Sequence, residues 1–101
     1  MNQFGIRIKE LRNQNDLLQK HIASKLDIDT PMLSKIERGE RKAKREQISI
    51  LAQIFFVDEN ELLALWFADQ IYDVIKNEDV ALKAMQVAEN IIKYESNVEV
   101  K

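Results

Sequence analysis

A chain of 101 residues with only two glycines and one proline has few places where regular backbone is interrupted. Tight turns are therefore few and long helices favoured. Val, Ile and Thr form no alternating runs of strand type, so the expected fold class is all-α. The length suits one domain around a single modest core.

The proline and one glycine both fall between Thr30 and Arg45, together with six of the fifteen basic residues. Turn chemistry and positive charge thus converge in one stretch. Asp29 is a candidate N-cap for a helix from Thr30 to about Arg38, because its carboxylate can accept from amides two or three positions on. Pro31 falls in the first turn, where its missing N–H costs nothing, and Gly39 ends the helix. Leu33 and Ile36 face inward. Thr30, Pro31, Met32 and Lys35 face outward as candidate base readers, since apolar groups such as Pro31 and Met32 suit thymine methyls in a major groove. Met32 has a second reading, as filler of a local gap in the core.

Before this stretch, Phe4, Ile8 and Leu11 recur at helical spacing and define an amphipathic first helix from Asn2 to about Asn15. A second helix from Leu18 to Leu26 buries Ile22, Ala23 and Leu26. Ala23 serves either as a small residue admitting a close crossing or simply as a good helix former. Asp27 and Asp29 flank Ile28, which plugs the corner.

After it, a fourth helix from about Lys44 to Phe56 turns Ile48, Leu51, Ala52 and Phe55 inward. Lys44 and Arg45 sit at the positive end of its macrodipole, a conflict that a bound anion would remove. The bland reading of Arg38–Arg45, a solvated charge run, stands beside the reading as a phosphate clamp.

Asp58 and Glu61 form a capping-box-like pair at the start of a fifth helix to about Lys76. A sixth starts at Asn77-Glu78-Asp79 and runs through Tyr94. Both are apolar on more than one stripe, so each needs two burial partners. A second copy of the chain is the expected second partner, through Leu62, Leu65, Trp66, Ile71, Val74, Val80, Met85 and Ile91. Residues 96–101 read as a frayed, flexible tail.

The net charge of −2 conceals a division. Residues 1–56 carry 11 Lys+Arg against 7 Asp+Glu, a net +4, and residues 57–101 carry 4 against 10, a net −6. A basic half is suited to nucleic acid despite the acidic whole.

With no cysteine and one histidine, the materials for a triad or a zinc site are missing. His21 reads as a surface or backbone-contacting residue. The acids at 58–61 and 78–79 stand where helix starts favour them, and neither group has the spacing of a calcium loop. The chain is expected to be no enzyme, with no metal or other cofactor and no evident small-molecule effector. No apolar run approaches the ~20 residues of a membrane span, and no signal-peptide core is present, so a cytoplasmic location is expected.

The order Gln19…Ala23…Leu26-x-Ile28 followed by Leu33-Ser34-Lys35-Ile36-Glu37-Arg38-Gly39-Glu40-Arg41 resembles the Cro/repressor-type (Xre) helix-turn-helix family over about residues 4–56. The resemblance implies a lambda-repressor-like domain of about five helices, with a C-terminal helical extension for dimerisation. It divides the chain into a DNA-binding domain at 1–57, an extension at 58–95 packed on it, and a tail at 96–101. It further implies a regulator of transcription that binds double-stranded DNA as a homodimer on a pseudo-palindromic operator.

By matching position, Gln19 looks like a residue that touches phosphate and braces the recognition helix. Glu37 looks like a structural acid paired with a base such as Arg12. Thr30, Pro31, Met32 and Lys35 match the base readers, and Arg38 and Arg41 match the backbone-contacting loop. With Lys20, Lys42, Lys44 and Arg45, these give the expected phosphate-binding set. Leu18 stands where similar proteins carry Ser or Thr, which makes Asp16 the candidate substitute cap of a shifted second helix. Asp27 stands where glycine is common, and Asp tolerates the left-handed geometry of such a turn. An antitoxin or other interaction module, using the C-terminal helices on a different protein, is the alternative function.

Overall fold

A computed structural model describes residues 2–100. Six helices follow one another: α1 Gln3–Gln14, α2 Gln19–Leu26, α3 Thr30–Glu37, α4 Arg45–Phe55, α5 Glu59–Ile75 and α6 Ala81–Val100. There is no strand among the described residues, and the fold is all-α with a helix-turn-helix at α2–α3.

The boundaries of the first four helices have one physical cause. Each of α1 to α4 ends in a residue of positive φ: Asp16 at 54°, Asp27 at 57°, Gly39 at 78° and Phe56 at 55°. That left-handed residue turns the next amide back onto the helix. Leu17 donates to Arg12 O at 3.0 Å, Ile28 to Ala23 O at 3.0 Å, Glu40 to Lys35 O at 2.8 Å and Val57 to Ala52 O at 3.1 Å. These are the six-to-one bonds of Schellman ends. Only one of the four positions is glycine. Asp27 occupies the left-handed place in the turn between α2 and α3, as its tolerance of that geometry led us to expect.

The core draws on α1 to α4 and the start of α5: Phe4, Ile8, Leu11, Ile22, Ala23, Leu26, Leu33, Ile36, Ala43, Ile48, Leu51, Ala52, Phe55 and Leu62 are all buried. α1 packs on α3 and α5, α2 on α3 and α4, and α4 on α5. The approach of α1 to the end of α3 depends on Gly5. A Cβ there would lie 2.6 Å from the carbonyl oxygens of both Ile36 and Glu37. Asn2 completes the joint, accepting from the Gly5 N–H at 3.0 Å and donating to Glu37 O at 2.8 Å.

α5 is tied to this body by Asp69, whose two carboxylate oxygens accept from the backbone N–H groups of Gln3 at 3.0 Å and Phe4 at 2.9 Å. A carboxylate there satisfies two open amides and complements the helix dipole. At the start of α5, Asp58 accepts from Asn60 N–H at 2.9 Å. Glu61 does not close a capping box with it, because its carboxylate pairs with Arg7 at 3.0 Å.

α6 differs from the expected helix at both ends. Asn77 to Val80 form the turn out of α5, with Glu78 N–H on Ile75 O, so the acidic cluster precedes α6 instead of opening it. The helix then continues past Tyr94 to Val100, since no glycine or proline follows to stop it. Residues 96–100, expected as tail, are helical backbone; Lys101 lies outside the described residues. None of the described side chains of α6 is buried. α6 meets the last turns of α5 along an apolar groove of about 350 Å³, lined by Ile71, Tyr72, Ile75, Leu82 and Met85 among others.

Candidate nucleic-acid interface

α3 is held at both ends. Asp29 accepts from Met32 N–H at 2.8 Å, and Pro31 occupies the first turn. At the other end Glu37 is buried within a polar cluster. Arg12 donates from Nε to Oε2 at 2.8 Å and from Nη2 to Oε1 at 3.1 Å, and Gln19 Nε2 donates to Oε1 at 3.0 Å. The Arg12 side chain is 12% exposed and that of Glu37 3%. Geometry of this kind, bidentate and shielded from water, joins α1, α2 and α3 through one carboxylate. Gln19 thus braces the end of α3.

The outward face of α3 carries exposed Pro31 and Lys35, with Thr30 half-buried. Met32 is half-buried and packed against the core, so the gap-filling reading accounts for much of its side chain. A depression of about 370 Å³ beside α3 is lined by Lys9, Arg12, Gln19, Ser34, Glu37 and Arg38. Lys9 and Ser34 were not among the expected site residues. They lie on α1 and α3 at positions whose nearness depends on how those helices cross.

The starts of α1 to α5 fall into two groups. The first turns of α1, α3 and α5 are closed by Asn2 with Asp69, by Asp29 and by Asp58. No side chain caps the first-turn amides of α2 or α4. In both, the third helical residue instead reaches back to the preceding amide: His21 Nδ1 accepts from Leu18 N–H at 3.3 Å and Gln47 Oε1 from Lys44 N–H at 2.9 Å. Asp16 therefore does not cap α2. It is the left-handed end of α1, and α2 begins at Gln19 without a shift. Beside the two open starts stand exposed Lys20 and exposed Lys44 and Arg45.

The basic loop is sorted by its own contacts. Arg38 folds back onto Ser34 Oγ and Glu40. That hydrogen bond and the guanidinium charge hold the Glu40 carboxyl below its ordinary range. Lys42 lies 5.6 Å from the centre of the Trp66 ring and Arg45 5.5 Å from that of Phe67. Arg41 and Lys44 are exposed, with no side-chain bond among the described residues.

The helix-turn-helix family model matches residues 8–62. The chain belongs to the Xre-type helix-turn-helix family. No curated protein and no solved structure matches it significantly. The family is one of DNA-binding domains. Its match reaches Leu62, also the last residue of the buried core.

Burial within one chain accounts for part of the expected dimerisation set. Leu62 is 0% exposed inside its own chain, and Leu65 and Trp66 pack on the same core. The turn after α4 folds the first turns of α5 back onto α1 and α4, which uses their apolar stripe within one chain. Ile71, Val74, Val80, Met85 and Ile91 are exposed. Among the described residues no helix is long and apolar enough to cross a membrane, and no group of His, Cys, Asp or Glu could hold a metal ion.

Proposed function

We propose that the chain is a sequence-specific regulator of transcription that places α3 in the major groove of a pseudo-palindromic operator, two copies acting together. The observation that carries this is the pairing of a rigid α3, bare along Pro31 and Lys35, with uncapped starts on α2 and α4. Open amides at a helix start attract anions. In this reading Gln19, Lys20, Arg38, Arg41, Lys42, Lys44 and Arg45 face phosphates and set affinity, while Thr30, Pro31, Met32 and Lys35 face base edges and set sequence. Met32 reads with the part of its side chain that the core leaves free.

Two copies follow from the need for two recognition helices about 34 Å apart, one turn of the duplex. The exposed apolar residues of α5, α6 and the turn between them, Ile71, Val74, Val80, Met85 and Ile91, are their meeting surface. Selection of bound sites from random DNA tests the whole reading, with paired half-sites about one turn apart as the expected result. Unselective binding would sink it. The same apolar surface supports a second reading, an antitoxin-like module that binds a different protein. The mass of the purified chain separates the two, because a stable monomer would favour the hetero-partner.

A further inference from the structure

We propose that Trp66 is a positioning residue for phosphate binding, which holds the basic loop so that helix α5 determines which of its cations lead the contact with the duplex. The proposal rests on the DNA-binding reading above. Between Gly39 and Lys44 the loop has no helical or extended structure, and it carries like charges close together. Such a segment spreads unless something ties it.

The tie is a clasp on α5. Trp66 Nε1 donates to the carbonyl oxygen of Ala43 at 2.9 Å, and the Ala43 side chain is buried. Lys42 and Arg45, on either side of Ala43, lie over the rings of Trp66 and Phe67. The two rings meet edge to face with centroids 4.9 Å apart. Lys42 Nζ also donates to Gln70 Oε1 at 3.4 Å. One backbone hydrogen bond therefore sits between two exposed cations that lie over aromatic faces, an attraction that is modest at exposed positions.

The consequence is a division among the loop's five cations. Lys42 and Arg45 are drawn toward α5, and Arg38 toward Glu40. All five are exposed, and Arg41 and Lys44, which alternate with the others, have no side-chain partner among the described residues. Arg41 and Lys44 then lead the contact with phosphate, and Arg38, Lys42 and Arg45 join it from positions that their partners fix.

The test compares the full chain with Trp66→Phe, which keeps an aromatic face but loses the donor. Affinity for a short mixed-sequence duplex is measured across a range of salt, at a temperature where circular dichroism shows both chains folded. The expected result is weaker binding with a salt slope smaller by about one unit, the signature of one lost phosphate contact. A folded variant with the wild-type slope and affinity would overturn the proposal and leave Trp66 as packing alone. Trp66 is the only tryptophan, so its emission gives a second readout that needs no variant. Emission that changes as duplex is added supports the clasp. Emission unmoved at saturation overturns it, and decides the matter should Trp66→Phe fail to fold. If the wild-type chain binds no duplex at low salt, the DNA-binding reading itself falls and the proposal with it.

Discussion

The stretch from Asn2 to Trp66 and the stretch from Phe67 onward are built from similar apolar residues but treat them in opposite ways. In the first, α1 to α4 and the start of α5 close a core, and every buried side-chain N or O atom described has a partner. In the second, Val74 is 79% exposed and Leu82 87%. Burial of apolar surface is the main favourable term in folding. The first region completes most of it within one chain, leaving Ile6, Leu18 and Phe56 exposed; the second leaves most of its apolar side chains to be covered by something else. The charge division falls earlier in the chain, with a net +4 over residues 1–56 and a net −6 over residues 57–101.

Arg12→Met tests the self-sufficiency of the body. It leaves Glu37 buried with Gln19 as its remaining side-chain partner, and removing one member of a buried pair costs about 3–5 kcal/mol. Thermal unfolding should show a loss of that order, a large share of the stability of a domain this size. A small change would mean that water reaches the cluster.

Ile91→Asp addresses the other region. On a lone chain the position is solvent-facing, and the substitution should change stability by no more than about 0.5 kcal/mol. If α6 meets a second copy, association should weaken by about 2 kcal/mol or more, and sedimentation would show monomer. An unchanged mass would move the contact elsewhere.

Gly5→Ala returns to the body, where a new Cβ meets the carbonyls ending α3. Overpacking of this kind costs about 1–3 kcal/mol. Its melting temperature should fall, with the mass of the assembly unchanged.

Glu40→Gln gives the smallest effect. Arg38 lowers the Glu40 pKa, so the pair's contribution is fully present above the ordinary carboxylate range and is lost as pH falls through the lowered value. At neutral pH the pair is intact. The amide should release Arg38 toward DNA and raise the salt slope by up to about one unit. An unchanged slope would show that Arg38 reaches phosphate while paired.

Local signals were legible in the sequence, and distant polar ones were not. Asp29, Pro31 and Gly39 act within a turn of where they stand, so their roles follow from spacing. The inward stripes of α1 to α4 are equally local. The Arg12–Glu37 pair is a distant contact, and it was legible only because a family pattern marks both positions. No such pattern marks Asp69 against the amides of Gln3 and Phe4, or Trp66 against Ala43. Those depend on how α5 lies across the body, which an apolar stripe on most of its circumference does not specify. For the same reason Leu62 reads as surface for a second copy when it is core. His21 shows a subtler limit: its imidazole accepts from Leu18 N–H, the bond that Glu or Gln makes at the third position of a capping box, while the amides that Ser or Thr would have capped stay open.

The four left-handed helix ends have a consequence for how the chain acquires its shape. Each stop is made by amides reaching back no more than five residues, so it can form while the chain is still extended. Contacts that lie mostly within helices and their adjoining turns give the low contact order associated with folding in microseconds to milliseconds. The steps that must wait are the distant ones: Arg12 finding Glu37, Asp69 closing on α1, and Trp66 reaching Ala43. The helix-turn-helix can thus be outlined early and made rigid only when α5 arrives.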